Sequence, residues 1–192
     1  MKKIQKIKSE IDFGGKKLVL TSGNIAFQAT GAVMAQYGET VVLAAVVSSP
    51  LRENLGYFPL SVEYQERLYA GGRIKGSRWV KREGRPSDEE ILTGRLIDRS
   101  IRPLFPKEYS DYEVQVTVTV LSVDMENSPD IVSAIATSAA LAASGIPWLG
   151  PVAVSRVGLK DNDFIINPLQ SEQENSELDL VVSTTKDAVI MI

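Results

Sequence analysis

Residues 128–144 read SPDIVSAIATSAALAAS, and this stretch decides the predicted fold. Ser128 and Pro129 are typical of a helix start, and Gly145 and Pro147 are typical of its end. Nearly every side chain between them is apolar or small on all sides of the predicted helix. Because such a helix has no polar face to turn towards water, we expect it to lie buried between layers of other secondary structure.

Predicted strands flank this helix on both sides of the sequence. The residues of Tyr112–Val123 alternate between valine and polar side chains, which is the pattern of a strand. Residues 51–87 are predicted to be loop, followed by a helix that begins with the capping-box pattern at Ser87 and ends near Ile101. Strands followed by helices and more strands indicate an α+β layer fold. The other predicted strands are Lys16–Thr21, Ala26–Ala35, Thr40–Ser48, Pro151–Leu159, Phe164–Asn167, Leu178–Ser183 and Ala188–Ile192.

Length and composition predict one domain. The chain has 192 residues, 44% of them hydrophobic, which is enough for a single substantial core. The sequence stops at Ile192 inside a predicted apolar strand. We therefore expect residues 1–192 to be the first domain of a longer chain, truncated within a strand near the C-terminal end of that domain.

The chain contains no cysteine and no histidine. This excludes thiol nucleophiles, disulfides, thiolate zinc sites and catalytic triads that use histidine. The sequence also has no run of ~18 apolar residues and no secretion signal. We expect a soluble, cytoplasmic protein with no membrane partner.

The net charge of the chain is −3, but one segment of it is basic. Between Arg67 and Lys107 there are 11 Lys/Arg and 5 Asp/Glu residues, whereas the remainder of the chain holds 10 and 19. Such a segment can attract nucleic acid or phosphate. The alternative is a solvated loop beside a helix whose charges pair with each other, and composition does not separate the two.

The basic segment contains a pattern that suits single-stranded nucleic acid. Residues 72–86 place glycines, cations and the aromatic side chain of Trp79 close together. Cations bind phosphates, and an aromatic ring stacks on a base for roughly 1–3 kcal/mol. The alternative is that Trp79 anchors the loop in the core.

Arginines on the predicted helix extend this pattern. At 100° per residue, the three side chains Arg95, Arg99 and Arg102 share an arc of about 60°. Like charges so placed repel each other unless an anion lies between them. The alternative is neutralisation by Asp98, but one carboxylate does not neutralise three cations.

Longer motifs resemble the first core of the polynucleotide phosphorylase family, and the resemblance covers nearly the whole chain. These motifs are Gln65-Glu66, Tyr69-Ala70, Gly72-Arg73-Ile74, Gly76-Ser77, Arg82-Glu83-Gly84-Arg85-Pro86-Ser87, Arg95-Leu96-Ile97-Asp98-Arg99, Ile101-Arg102-Pro103-Leu104-Phe105-Pro106, Asn127-Ser128-Pro129-Asp130-Ile131, Ser144-Gly145-Ile146-Pro147 and Gly150-Pro151.

The resemblance implies an α+β core of the RNase PH type, similar to a ribosomal-protein domain, with a mixed or antiparallel sheet packed against helices. The full-length enzyme of this family is a nucleotidyltransferase that degrades mRNA from its 3′ end and releases nucleoside diphosphates. It implies inorganic phosphate as co-substrate and Mg²⁺ bound outside this core. The implied partners are single-stranded RNA, two further copies in a homotrimer, and an RNA-degradation complex.

The resemblance also implies the RNA-binding residues. The family's first core has a loop of two aromatic residues and two arginines that grips RNA. Here that loop contains Val80 where a second aromatic residue is usual, so its grip is expected to be weaker or differently placed. The expected RNA-binding residues are Arg78, Trp79, Lys81, Arg82, Arg85, Arg95, Arg99 and Arg102.

The same resemblance implies a catalytically silent core. In the family's catalytic half a loop rich in Gly, Ser and Thr holds phosphate, but residues 126–130 here contain Pro129 and two acids. We therefore expect no catalytic and no metal-binding residues. Two alternatives stay open: a stand-alone RNA-binding or assembly module without phosphorolysis, and an autonomous RNase PH-like nuclease that uses Glu177 and Asp179.

Overall fold

The structure is a computed structural model that describes residues 5–53, 55–74 and 85–192. Strands precede, separate and follow the helices in these residues, and short 3-10 turns occur at Leu68–Gly71, Arg102–Leu104 and Lys107–Asp111. The strands are β1 Ile7–Phe13, β2 Lys16–Ser22, β3 Gly31–Tyr37, β4 Thr40–Pro50, β5 Leu60–Glu66, β6 Tyr112–Ser122, β7 Ala153–Lys160, β8 Asp163–Ile166, β9 Asp179–Thr184 and β10 Val189–Met191. The helices are α1 Asp88–Ile101, α2 Pro129–Ser144 and α3 Gln170–Gln173.

The first sheet has six strands in the order β1-β2-β3-β4-β6-β5. Its pairs are antiparallel except for the parallel pair of β5 with β6. Strand β5 therefore lies at an edge of the sheet, and helix α1 packs against it. This contact places Arg95 and Arg99 of α1 near the edge of the sheet.

Helix α2 joins the first sheet to the second. It contacts β3 and β4 of the first sheet and β7 of the second, which has the order β10-β9-β7-β8. Nine of its sixteen residues are buried, including Ser133 and Thr137. The hydroxyl of Thr137 donates to the carbonyl of Ser133, so this buried polar group is satisfied within the helix. The predicted burial of this helix between layers is confirmed.

Most predicted elements are confirmed, and the start of α1 is the clearest case. The amide of Glu90 donates to the Ser87 hydroxyl at 3.1 Å, and the amide of Ser87 donates to the Glu90 carboxylate at 2.7 Å. Both bonds of the predicted capping box are therefore present. The helix ends at Ile101, as predicted, and α2 has the predicted bounds.

Three predictions differ from the structure. The strand predicted at Ala26–Ala35 is β3, which begins at Gly31 because the residues before it turn, with Ala26 at φ 52°. Strand β1 was not predicted, although Ile7, Ile11 and Phe13 alternate with charged residues along it; six of its seven residues are exposed. Strand β5 lies in a segment predicted to be loop, although its buried Leu60 and Tyr64 follow the strand period.

Gly31 tests the close packing of α2 on the first sheet. A Cβ atom at this position would lie 2.5 Å from the carbonyl oxygen of Ala140 and 2.7 Å from the Cβ of Ser144. We expect Gly31→Ala to lower the free energy of unfolding by about 1–3 kcal/mol through overpacking. Gly71→Ala is the matched control, because its Cβ would meet only the Met125 Cε at 3.7 Å. Equal thermal melts of the two variants would contradict this packing.

Candidate RNA interface

The predicted RNA-binding residues fall into two groups. Arg78, Trp79, Lys81 and Arg82 lie outside the described residues, so their role stays a prediction. Arg85, Arg95, Arg99 and Arg102 are described, and they lie immediately before α1, on α1, and in the turn that follows it.

Helix α1 is attached to the edge strand β5 at both of its ends. Near its start, the Glu90 carboxylate accepts a hydrogen bond of 2.8 Å from the amide of Glu66, the last residue of β5. Just after its end, Arg102 donates to the carbonyl of Leu60, the first residue of β5, at 3.0 Å. Between them Gly94 is buried against β5, where an added Cβ would lie 3.4 Å from the Val62 carbonyl oxygen.

Arg102 is held by four hydrogen bonds. Two of them go to the two carboxylate oxygens of Asp98, at 2.9 and 2.7 Å, and two go to the carbonyls of Phe58 and Leu60, at 3.4 and 3.0 Å. The argument that all three arginines require an external anion is therefore wrong for Arg102, because Asp98 and the carbonyls of Phe58 and Leu60 satisfy its guanidinium. An RNA contact by Arg102 stays a prediction. Such a contact would have to replace some of these bonds.

The other three described arginines differ from Arg102. The side chains of Arg85, Arg95 and Arg99 are exposed, and in residues 5–53, 55–74 and 85–192 they have no hydrogen-bond or ion-pair partner. A guanidinium in this state binds phosphate without first breaking an internal bond. These are the cations that the fold leaves available at this edge of the sheet.

A groove of about 470 Å³ separates α1 from β5. Arg95 and Arg102 line it together with the carboxylates of Glu63, Glu90 and Asp98. Because acids outnumber bases among these side chains, the groove itself does not suit a phosphate. A polyanion would have to lie along the exposed arginines rather than inside the groove.

The turn before α2 is occupied by the carboxylate of Asp124. This side chain accepts hydrogen bonds from the amides of Glu39, Glu126 and Asn127 at 3.0, 2.9 and 2.8 Å. The Asn127 side chain donates at 2.6 Å, and the Thr40 hydroxyl at 3.1 Å. An internal anion thus uses donors that an external anion would need.

The environment of Asp124 favours its charged form. Burial by itself would raise the pKa of this carboxyl. The hydrogen bonds from Asn127, Glu126 and Glu39 outweigh burial and bring the pKa well below its ordinary value. The carboxylate is therefore ionised at every pH at which the protein is normally handled. Sequence inspection missed this residue, although an Asp two and three residues before its amide donors is a recognised turn pattern.

A second internal ion group fixes the start of α2 to the second sheet. Arg156 on β7 donates to Asp130 on α2 at 2.7 Å and to both oxygens of Asp179 on β9 at 2.7 and 2.8 Å. Only 15% of the Arg156 and Asp130 side chains is exposed, against 59% for Asp179. Burial alone would lower the pKa of Arg156, but Asp130 and then Asp179 raise it, so the guanidinium stays charged.

Two of the acids in this region are already paired with a cation. Asp179 and Asp130 already share the guanidinium of Arg156, and the amide of Glu177, not its carboxylate, bonds the Leu159 carbonyl. In the part of the chain that the structure describes, no three His, Cys, Asp or Glu side chains are grouped so as to hold a metal ion. None of the described helices is long and apolar enough to cross a membrane.

Two family models match successive parts of this chain. The model described as "3' exoribonuclease family, domain 1" matches residues 14–147, and the model described as domain 2 of that family matches residues 150–192. The chain belongs to the 3′ exoribonuclease family.

Relatives with similar sequences agree with this membership. The chain is 55% identical over 186 residues to a protein of Pelagibacter ubique and 54% identical to one of Rhodospirillum centenum, each named polyribonucleotide nucleotidyltransferase. These matches cover 96% of this chain and 27% and 26% of the relatives, so the chain spans about a quarter of their length. The resemblance to polynucleotide phosphorylase is thereby confirmed.

A solved structure titled "archaeoglobus fulgidus exosome with RNA bound to the active site" is similar to this chain, with a TM-score of 0.70 and 20% sequence identity. The match covers 92% of this chain and 76% of the archaeal one. At this identity the likeness concerns the fold. The predicted RNase PH-type α+β class is confirmed.

The Asp124 site predicts a pH-dependent loss of stability. We expect Asp124→Asn to lower the free energy of unfolding by about 1–3 kcal/mol at pH 7, because an amide cannot accept all the bonds that the carboxylate accepts. A lowered pKa in the folded state stabilises the protein above the unfolded pKa of about 4, and this contribution is lost as the pH falls towards the folded pKa.

The difference between wild type and Asp124→Asn should therefore shrink in denaturant melts below about pH 4. Glu126→Gln is the control. It removes one charge from the same turn, but the Glu126 carboxylate makes no hydrogen bond among the described residues, so stability should change little. A difference that stays constant down to pH 2, or an equal effect of Glu126→Gln, would show that the carboxylate is not the source of the stability.

Proposed function

We propose that this chain is the RNA-binding, catalytically silent core of a phosphorolytic 3′-to-5′ exoribonuclease. In this proposal the full-length protein shortens RNA with inorganic phosphate and releases nucleoside diphosphates during mRNA turnover in the cytoplasm. Mg²⁺ and phosphate act outside this core. The partners are single-stranded RNA, two further copies in a homotrimer, and an RNA-degradation complex.

The observation that carries the silent role is the ion group around Arg156. A carboxylate that assists phosphorolysis has to be available to a metal ion or a proton. Asp179 instead binds both of its oxygens to Arg156, whose other terminal nitrogen binds Asp130 at the start of α2. A phosphate approaching this helix start would also meet the carboxylates of Asp124 and Asp130. The alternative of an autonomous nuclease based on Glu177 and Asp179 is disfavoured by these bonds.

The RNA-binding role is supported by the exposed arginines beside α1. Arg85, Arg95 and Arg99 have no partner among the described residues. Membership of the 3′ exoribonuclease family makes a nucleic acid the expected ligand of these side chains. Backbone phosphates are the groups that unpaired guanidiniums bind without sequence preference. The proposed interface also includes Arg78, Trp79, Lys81, Arg82 and Arg102.

The silent role predicts that Asp179 is dispensable for phosphorolysis. In the full-length protein, Asp179→Asn should leave the release of nucleoside diphosphates from poly(A) within about twofold of wild type, since the residue acts only within an ion pair. The isolated chain should release none in the presence of phosphate and Mg²⁺. The measurement is product release under saturating RNA, with thermal melts to confirm folding.

Two results would contradict the silent role. One is a loss of turnover in full-length Asp179→Asn with an unchanged melt. The other is release of nucleoside diphosphates by the isolated chain that Asp179→Asn abolishes. A full-length protein that binds poly(A) but never releases diphosphates would instead favour the alternative of an RNA-binding module without phosphorolysis.

A further inference from the structure

Glu90 makes a bond that a helix cap does not require. One oxygen of its carboxylate accepts from the amide of Ser87 at 2.7 Å, which completes the capping box. The other oxygen accepts from the amide of Glu66 at 2.8 Å, across a sequence separation of 24 residues. The side chain is half-buried and both oxygens are used. It therefore ties the end of β5, where the chain leaves the sheet, to the start of α1, where the chain returns.

The tie reaches Arg85 through a stiff backbone. Ser87 is separated from Arg85 only by Pro86, whose ring fixes its own φ angle. The residue before a proline is also restricted, to an extended conformation. The position of Ser87 relative to the sheet thus restricts where the backbone of Arg85 lies. A side chain that holds Ser87 therefore also limits the region that the Arg85 guanidinium can reach.

We propose that Glu90 is a positioning residue for RNA binding: it holds Arg85 at the edge of the six-stranded sheet, where the guanidinium meets an RNA phosphate. Glu90 touches no RNA itself. This inference rests on the RNA-binding role proposed above, and it adds an acidic residue to an interface that otherwise consists of cations and an aromatic side chain.

The inference can be tested by the direction in which RNA affinity changes when the negative charge of Glu90 is removed. A carboxylate near a polyanion repels it, so removal of an acid from this surface should strengthen RNA binding if only charge matters. Glu89 is the matched control: it is the preceding residue, is exposed, and has no bond in the residues that the structure describes. Positioning by Glu90 predicts the opposite effect from that of Glu89.

The experiment compares Glu90→Gln, Glu90→Asp and Glu89→Gln in the full-length protein. Affinity for poly(A) is measured at several salt concentrations, with thermal melts of each variant. We expect Glu90→Gln to weaken binding about three- to tenfold, because a carboxamide keeps only one acceptor. Glu90→Asp, which keeps the charge but cannot span both amides, should weaken it similarly. Glu89→Gln should leave binding unchanged or strengthen it.

A double substitution separates positioning from a general loss of structure. In an Arg85→Ala background, Glu90→Gln should have no further effect on RNA affinity, because the residue that it positions is gone. Full additivity of the two effects would overturn the inference, as would Glu90 variants that behave like Glu89→Gln. If single alanine substitutions of Arg85, Arg95 and Arg99 all leave RNA affinity unchanged, the RNA-binding role itself is wrong.

Discussion

Helix α1 is fixed to the edge of the six-stranded sheet by hydrogen bonds at its two ends. The positions of the exposed Arg85, Arg95 and Arg99 depend on this attachment. An edge strand presents unpaired N–H and C=O groups along its free side. Here the Glu90 carboxylate accepts from the Glu66 amide at one end of β5, and the Arg102 guanidinium donates to the Leu60 carbonyl at the other. Side chains thus take the place of a neighbouring strand, and the helix between them carries Arg95 and its neighbours on a rigid support.

Internal ion groups determine which charges remain for a ligand. Asp98 forms an ion pair with Arg102, and Arg156 forms ion pairs with both Asp130 and Asp179. These charges stabilise the fold, and a ligand would have to break the pairs to reach them. Removal of Arg156 alone would leave two carboxylates uncompensated, one of them mostly buried, which is a strongly destabilising change. The bonds that hold the second sheet on α2 therefore use the charged side chains of this part of the core.

The sequence predicted local features well and long-range pairings poorly. The capping box at Ser87 and the burial of α2 depend on neighbouring residues, and both were predicted correctly. Strands β1 and β5 were not predicted although both alternate between apolar and polar residues, because β1 lies beside a lysine-rich start and β5 follows a segment rich in proline and glycine. The partners of Arg156 come from two elements distant in sequence, α2 and β9, and no local pattern predicts them.

The central claim is that the arginines left without internal partners bind RNA phosphates. Its most direct test is the salt dependence of poly(A) binding by the full-length protein with Arg95→Ala and Arg99→Ala combined. Each lost phosphate contact should lower the slope of log K against log salt by ~0.7, so the pair should lower it by about 1.4. Lys160→Ala, an exposed cation on the second sheet, should leave the slope unchanged. An unchanged slope and affinity in the double arginine variant would contradict the account.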